Sequence, residues 1–155
     1  MTTPQARLAE LGLTLPLVAA PVAAYVPAVR TGSYVYTAGQ LPLAEGKLLA
    51  TGKVGAEISA EEAARLARTC ALNGLAAVAS VAGGLLAVRR IVKVTGFVAS
   101  SPGFTGQPQV LNGASELLLD VLGEAGQHAR SAVGVAELPL DAPVEVELIA
   151  EVGDS

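Results

Sequence analysis

The sequence predicts an α+β fold in which two long helices cover one face of a single mixed β-sheet. Two patterns support this. Small apolar residues recur at helical spacing after Ser59 and again over residues 108–122, whereas Val88–Ala99 and Val144–Val152 alternate apolar and polar residues. A repeat near 3.6 residues indicates an amphipathic helix and a repeat of two indicates a half-buried strand. The order of elements, β-β-(β)-α-β-α-β-β, favours helices on one side of one sheet.

The length and composition indicate one domain with an aliphatic core. The 155 residues are 52% apolar, with three Tyr, two Phe and no Trp. A chain of this length usually forms a single domain. The net charge of −4 comes from scattered acidic residues and leaves no basic patch, so nucleic acid is not an expected partner. The sequence has no signal-peptide pattern and no apolar run of about 18 residues, so no membrane contact and a cytoplasmic location are expected.

The single cysteine and the single histidine argue against disulfide and metal chemistry. Cys70 cannot form an internal disulfide, and one His with one Cys cannot make a zinc site. Cys70 lies within a predicted helix, where we expect a small buried hydrophobe rather than a nucleophile. His128 is expected at the mouth of a strand, where it contacts solvent or a loop rather than taking part in catalysis. No metal and no cofactor are predicted.

Capping residues mark the ends of three helices. Thr3-Pro4 and a stop at Gly12 predict a short helix over about 3–11, an addition to the main fold. Ser59 and Glu62 form a capping box, from which a long helix runs to Gly83. The second long helix spans about 108–122 and is ended by glycines.

Five main strands are predicted. Residues 24–30 and 34–38 form a hairpin, and residues 41–55 are loop with room for one short strand. Val88–Ala99 lies between the long helices, and two strands, 129–137 and Val144–Val152, follow the second helix.

The last two strands carry charged residues on one parity. In Val144–Val152 the valines should lie under the helices, which leaves Glu145 and Glu147 on the other face. If the valines of strand 129–137 face the same way, Arg130 joins these carboxylates on the open face. That face would need a cover, which another copy of the chain can supply. The alternative is an ordinary cross-strand salt bridge on a wet surface, without functional meaning.

Residues 126–150 resemble the signature of the Rid (YjgF) family. An Arg opens a strand, Leu-Pro follows its end, and an alternating Val-Glu-Val-Glu strand runs on to an Ala. Residues 34–42, Tyr-Val-Tyr-Thr-Ala-Gly-Gln-Leu-Pro, resemble the family's Thr-Ser-Gly-Gln-x-Pro segment. The resemblance covers about residues 25–150, and the N-terminal helix and residues 103–107 resemble a longer branch of the family.

The resemblance implies a fold, an assembly and an activity. Members of the family have a chorismate-mutase-like fold and form homotrimers, with ligand clefts between neighbouring subunits. The implied reaction is hydrolysis of small 2-imino or 2-enamino acids to 2-oxo acids and ammonia, without a cofactor. The alternative is a non-catalytic trimeric binding or regulatory module for a small carboxylate metabolite. Ribonuclease activity, another label used in the family, is disfavoured by the acidic charge and the few aromatic residues.

The resemblance also assigns roles to individual residues. Arg130 would grip the substrate carboxylate, and Glu145 would orient the attacking water with help from the backbone carbonyl near Ala132. The cleft would also be lined by Tyr25, Gly39 and Asn112. Two positions depart from the family's pattern, because Ala38 replaces a serine and Ala132 replaces a frequent cysteine. The missing hydroxyl and thiol point to a different or more apolar ligand, or to carboxylate binding without deamination.

Overall fold

A five-stranded sheet with two long helices on one face forms the body of the protein. The computed structural model describes residues 2–18 and 24–154. The helices are α1 (Pro4–Glu10), α2 (Ala60–Ala82) and α3 (Gln107–Leu122). The strands are β1 (Ala28–Thr31), β2 (Tyr34–Thr37), β3 (Leu43–Ala44), β4 (Lys47–Leu48), β5 (Val88–Ala99), β6 (Ala129–Val135) and β7 (Val144–Val152). Short 3-10 turns lie at Leu85–Ala87, Gly123–Gly126 and Pro139–Asp141.

The sheet is mixed, as the sequence predicted. Its strand order is β1-β2-β7-β5-β6, in which β5 and β6 run parallel while the other neighbours are antiparallel. The parallel pair follows from the crossover through α3, because parallel neighbours need a long connection. β6 is therefore an edge strand whose place is set by α3.

The two long helices bury the alternating residues of β7. The Ser59 hydroxyl accepts a hydrogen bond of 3.1 Å from the Glu62 amide at the start of α2, and Gly83 ends this helix at a φ of 87°. One side of β7 is fully buried against the helices, namely Val144, Val146, Leu148, Ala150 and Val152. The predicted inward parity of this strand is confirmed, and Glu145 and Glu147 lie on the open face.

Two strand boundaries and one loop segment differ from the sequence prediction. β1 begins at Ala28 rather than at residue 24. The residue before it, Pro27, has no amide hydrogen to donate to a neighbouring strand. Hydrogen bonding to the β2 side of the hairpin starts at the Pro27 carbonyl, which accepts from the Ala38 amide at 2.8 Å. The segment expected as loop contains the small hairpin β3–β4, in which Glu45 and Gly46 turn the chain at positive φ. β6 ends at Val135 rather than at residue 137.

Across residues 2–18 and 24–154, no helix combines the length and the apolar character that crossing a membrane requires.

Candidate active site

The Arg130 side chain lies on the helix side of the sheet, contrary to the prediction from parity. Arg130 is the register partner of Val94, and Ala132 is the partner of Gly96. Val94 is fully buried under the helices, and Gly96 lies directly against Leu111 of α3. The prediction was wrong because it assumed that the valines of β6 face the helices. At this edge strand Val133 instead faces outward and is 43% exposed.

Three oxygen atoms near the start and middle of α3 hold the Arg130 guanidinium. Its Nη1 donates to Asn112 Oδ1 at 2.9 Å and to Ser115 Oγ at 3.2 Å, and its Nη2 donates to the Pro108 carbonyl at 3.3 Å. Asn112 and Ser115 lie one turn apart on the same face of the helix, which is why both reach one side chain. The guanidinium is thereby fixed in orientation at the start of β6, and the described contacts assign no acceptor to its Nε.

A pocket of about 300 Å³ opens beside this arginine. It is lined by Ser115, Leu119, Gln127, His128 and Arg130. The pocket is shallow and widely open to solvent. The arrangement provides a positive charge, a hydroxyl and an imidazole around a space suited to a small polar molecule with a carboxylate.

His128 is half-buried and forms two hydrogen bonds at this pocket. Its Nδ1 lies 2.6 Å from the Gly126 carbonyl and its Nε2 lies 2.8 Å from Ser115 Oγ. The contact with the preceding turn agrees with the sequence prediction of a loop contact. The bond to Ser115 was not predicted, and no feature of the sequence pairs these two residues, which are 13 positions apart in different elements.

Glu145 and Gly39 meet on the opposite face of the sheet. A Cβ atom built on Gly39 would lie 2.0 Å from Glu145 Oε1, so this position must lack a side chain for the carboxylate to lie where it does. The backbone after β2 is joined to β7 by paired bonds between Gln40 and Val146, at 2.8 and 3.0 Å. Burial, and to a lesser degree the charge of Glu147, raises the pKa of the Glu145 carboxyl.

This pKa shift predicts the effect of removing the charge. A carboxyl whose pKa is raised by folding binds its proton more tightly in the folded chain, so its contribution to stability is present below the ordinary pKa of 4.5. That contribution is lost as the pH rises through the raised value. We therefore expect Glu145→Gln to increase the Tm at pH 7 by about 1–3 °C.

Thermal unfolding followed by circular dichroism between pH 4 and pH 7.5 tests this expectation. The difference in Tm between Glu145→Gln and the wild type should shrink towards pH 4, where the wild-type carboxyl takes up its proton. Glu116→Gln, an exposed position on α3, serves as the control. A Glu145→Gln protein that is less stable than the wild type at pH 7 would contradict the expected sign.

The six predicted site residues fall into groups. Arg130 and Asn112 are hydrogen-bonded, and Ala132 follows Arg130 on the same side of β6, partly buried against the core. Glu145 and Gly39 form the second group on the open face. Tyr25 lies before β1 in a bend, not in a strand as predicted, and is 55% exposed. No salt bridge joins Arg130 and Glu145 among the residues described, so the simple cross-strand pair is excluded within one chain.

The fold and the Arg130 pocket place this chain among small α+β proteins. Comparison with known proteins identifies the family. The family model described as "YjgF/chorismate mutase-like, putative endoribonuclease" matches residues 5–152. The chain therefore belongs to the Rid (YjgF) family. Protein TCP17 of Trypanosoma cruzi is 45% identical over 150 residues, which cover 96% of this chain and 94% of that protein. A 2-iminobutanoate/2-iminopropanoate deaminase of Salmonella typhimurium is 37% identical over 131 residues, 84% of this chain and 89% of the relative.

Solved structures agree with the family assignment. Protein Atu1372 of Agrobacterium tumefaciens superposes with a TM-score of 0.91 at 47% identity, covering 97% of this chain and 94% of that one. Escherichia coli TdcF, solved with bound serine, gives a TM-score of 0.64 at 27% identity, with coverage of 88% and 94%. The predicted chorismate-mutase-like α+β fold is confirmed by these matches.

Proposed function

We propose that this protein is a cytoplasmic, cofactor-independent hydrolase that converts small 2-imino or 2-enamino acids to 2-oxo acids and ammonia. The observation that carries the proposal is the Arg130 guanidinium, held in a fixed orientation at the edge of a pocket of about 300 Å³. A relative that is 37% identical is named as a deaminase of 2-iminobutanoate and 2-iminopropanoate, and TdcF was solved with serine, an amino carboxylate.

Arg130 would bind the substrate carboxylate. A planar guanidinium and a carboxylate can form two parallel hydrogen bonds, which fix orientation as well as charge. The three acceptors on α3 bind Nη1 and Nη2, so the Nε–H and the adjacent Nη2–H are the donors best placed for a ligand. Asn112 would then act by positioning Arg130.

The reaction requires a water molecule placed over the C=N bond. The carbon of a protonated imine is electrophilic, so attack by water gives a carbinolamine that breaks down to the 2-oxo acid and ammonia. Glu145, whose pKa is raised by burial, would orient this water. General acid–base assistance of this kind usually contributes about 10²–10⁴-fold, and positioning adds to it.

A site that uses both Arg130 and Glu145 needs more than one subunit. The two residues lie on opposite faces of the sheet within one chain, so we propose that a homotrimer brings Arg130 of one subunit near Glu145 of another. The open face supports such an assembly, because it exposes the neighbouring Val29 and Tyr36 on β1 and β2 and, at the opposite edge of the sheet, Val133 on β6. A second subunit packed on this face would cover these side chains.

A second candidate is a trimeric binding or regulatory module for a small carboxylate metabolite. It is favoured by Ala38 and Ala132, which put methyl groups where the family's pattern has a hydroxyl and a thiol. Arg130 would bind the same carboxylate in this case, but no bond would be broken. We do not favour endoribonuclease activity, since the chain is acidic overall and offers few aromatic side chains for base stacking.

One assay separates the two candidates. An amino-acid oxidase generates 2-iminobutanoate from 2-aminobutanoate, and the rate of 2-oxobutanoate formation is followed with and without the protein. A deaminase accelerates hydrolysis catalytically. A binding module leaves the rate unchanged but binds 2-oxobutanoate saturably in calorimetry, and that result would overturn the proposed activity. Sedimentation equilibrium on the same preparation tests the trimer, and a monomer would contradict the shared site.

A further inference from the structure

We propose that Ser115 and His128 form an acid–base pair that moves protons in the Arg130 pocket during the proposed hydrolysis. This inference rests on the proposed function and adds a proton-transfer role that Arg130 and Glu145 do not fill. A continuous chain of hydrogen bonds joins the pair to Arg130 and to the backbone. The chain runs from Arg130 Nη1 to Ser115 Oγ at 3.2 Å, on to His128 Nε2 at 2.8 Å, and from His128 Nδ1 to the Gly126 carbonyl at 2.6 Å.

When the His128 imidazole is neutral, the groups at the two ends of this chain determine which atom donates and which accepts in each hydrogen bond. The Gly126 carbonyl can only accept, so Nδ1 carries the hydrogen and Nε2 is left as an acceptor. The Arg130 guanidinium can only donate, so Ser115 Oγ accepts from it and gives its own hydrogen to Nε2. A hydroxyl that donates to a neutral imidazole, with the ring oriented by a third group, is the arrangement that makes a serine hydroxyl able to transfer a proton.

The surrounding backbone holds the pair in place. Gly126 is buried, and a Cβ atom there would lie 2.2 Å from the Leu118 carbonyl oxygen, so the turn that carries the accepting carbonyl is packed directly on α3. Ser115 is on the same helix and His128 follows two residues after Gly126. The distance between hydroxyl and imidazole is therefore set by the packing of one turn against one helix.

The pocket lets this pair reach a bound substrate. Ser115, His128 and Arg130 line the same space of about 300 Å³, so a small substrate held there by Arg130 would share that space with the Ser115 hydroxyl. Glu145 is on the other face of its own chain. Among the residues that line this pocket, only Ser115 and His128 can accept a proton within the same subunit as Arg130.

Ser115 and His128 would carry each proton of the hydrolysis in turn. Water forms a C–O bond to the imine carbon, the C=N π electrons move to nitrogen, and the water proton passes to Ser115 Oγ as the Ser115 proton moves to Nε2. The imidazolium then returns a proton by the same route to the amino nitrogen of the carbinolamine. The C–N bond breaks with its electron pair on nitrogen, a C=O bond forms, and the hydroxyl proton goes to His128 and finally to the released ammonia.

The test compares Ser115→Ala, His128→Asn and the double variant with the wild type, using 2-iminobutanoate generated in place by an amino-acid oxidase. Each single variant should lower kcat by about 10²-fold or more. The KM should stay within threefold, because Asn112 and Pro108 still hold Arg130. The double variant should be no worse than the single ones, since residues that act as a unit are not additive. Ser80→Ala is the matched control, because Ser80 is a helical serine outside the pocket whose hydroxyl donates to the Ala77 carbonyl at 2.7 Å.

The pH profile distinguishes proton transfer from a structural role. The part of the acidic fall in wild-type kcat that His128 contributes should be lost in His128→Asn, while the part that Glu145 contributes should remain, and added imidazole should restore part of the rate. Four other charged or titratable side chains line the two concavities that share His128, and the variant leaves them unchanged: Arg130 of β6, Arg90 of β5, Glu151 of β7 and Tyr34 of β2.

Several outcomes would overturn the inference. These are a kcat within threefold of wild type in both single variants, a loss seen only in KM, or an unchanged pH profile. Circular dichroism and 2-oxobutanoate binding check that each variant is folded, and Ser115→Ala carries the test if His128→Asn does not fold. A wild type without activity would overturn the proposed function, and this inference with it. An active wild type with fully active variants would overturn this inference alone.

Discussion

Replacing Arg130 by lysine or glutamine is expected to lower kcat/KM for 2-iminobutanoate by about 10²–10³-fold. A hydrogen bond to a charged group contributes about 1.5–3 kcal/mol, so two such bonds at the lower end of that range, about 3–4 kcal/mol, correspond to about 10²–10³-fold. These are the two bonds proposed between Arg130 and the substrate carboxylate. Lysine retains the positive charge but lacks the planar pair of N–H donors that binds both carboxylate oxygens. The Arg130→Lys variant should therefore be almost as impaired as Arg130→Gln. The measurement is initial rates of 2-oxobutanoate formation over a range of 2-aminobutanoate and oxidase concentrations.

The control for this substitution is another arginine bonded to a helix. Arg68 of α2 lies 3.4 Å from Asp120 of α3 and is outside the pocket, so Arg68→Lys should keep wild-type kinetics. Asn112→Ala removes one of the three groups that hold Arg130 and should cost less than Arg130 itself, about tenfold. An Arg130→Gln protein within threefold of the wild type would show that the carboxylate is bound elsewhere.

Local sequence patterns were sufficient to predict most of the elements. The capping box at Ser59 and the stop at Gly83 bound the helix observed over Ala60–Ala82, and the alternation in Val144–Val152 gave both the strand and its buried face. The helix ends depend on interactions between residues close in sequence. The buried face of β7 depends on one side of the strand packing against the continuous apolar layer of the two long helices. Both are readable from a single sequence.

The side of the sheet on which Arg130 lies could not be predicted in the same way. β6 is an edge strand with a parallel register to β5, and its residues follow the faces of their β5 partners rather than the rule that valines lie inside. Register across a long crossover depends on tertiary packing. The Ser115–His128 contact has the same origin, since it arises where the turn before β6 packs on α3.

Gly113→Ala is expected to destabilise the protein by about 1–3 kcal/mol, the usual cost of overpacking a core. In most helix interiors a glycine-to-alanine change stabilises by about 0.5–1 kcal/mol, so the sign here is the reverse of the helix propensity. The reason is the approach of α3 to α2. A Cβ atom on Gly113 would lie 1.9 Å from the Ala64 carbonyl oxygen and 2.7 Å from the Ala64 carbonyl carbon. The Ala64 carbonyl belongs to the backbone of α2 and cannot rotate away from the added methyl group, so α2 and α3 must separate.

Separation of the helices would also disturb the site, because Gly113 lies between Asn112 and Ser115 on α3. We expect Gly113→Ala to lower the Tm by about 3–10 °C and to reduce kcat/KM together with stability. Gly74→Ala on α2 is the matched control, since its Cβ would meet the end of the Leu148 side chain at 2.7 Å, and a side chain can change rotamer. Urea unfolding of both variants measures the difference. If Gly113→Ala proved as stable as the wild type, the close packing of α2 on α3 would not hold in solution, and neither would the fixed placement of the Arg130 acceptors that depends on it.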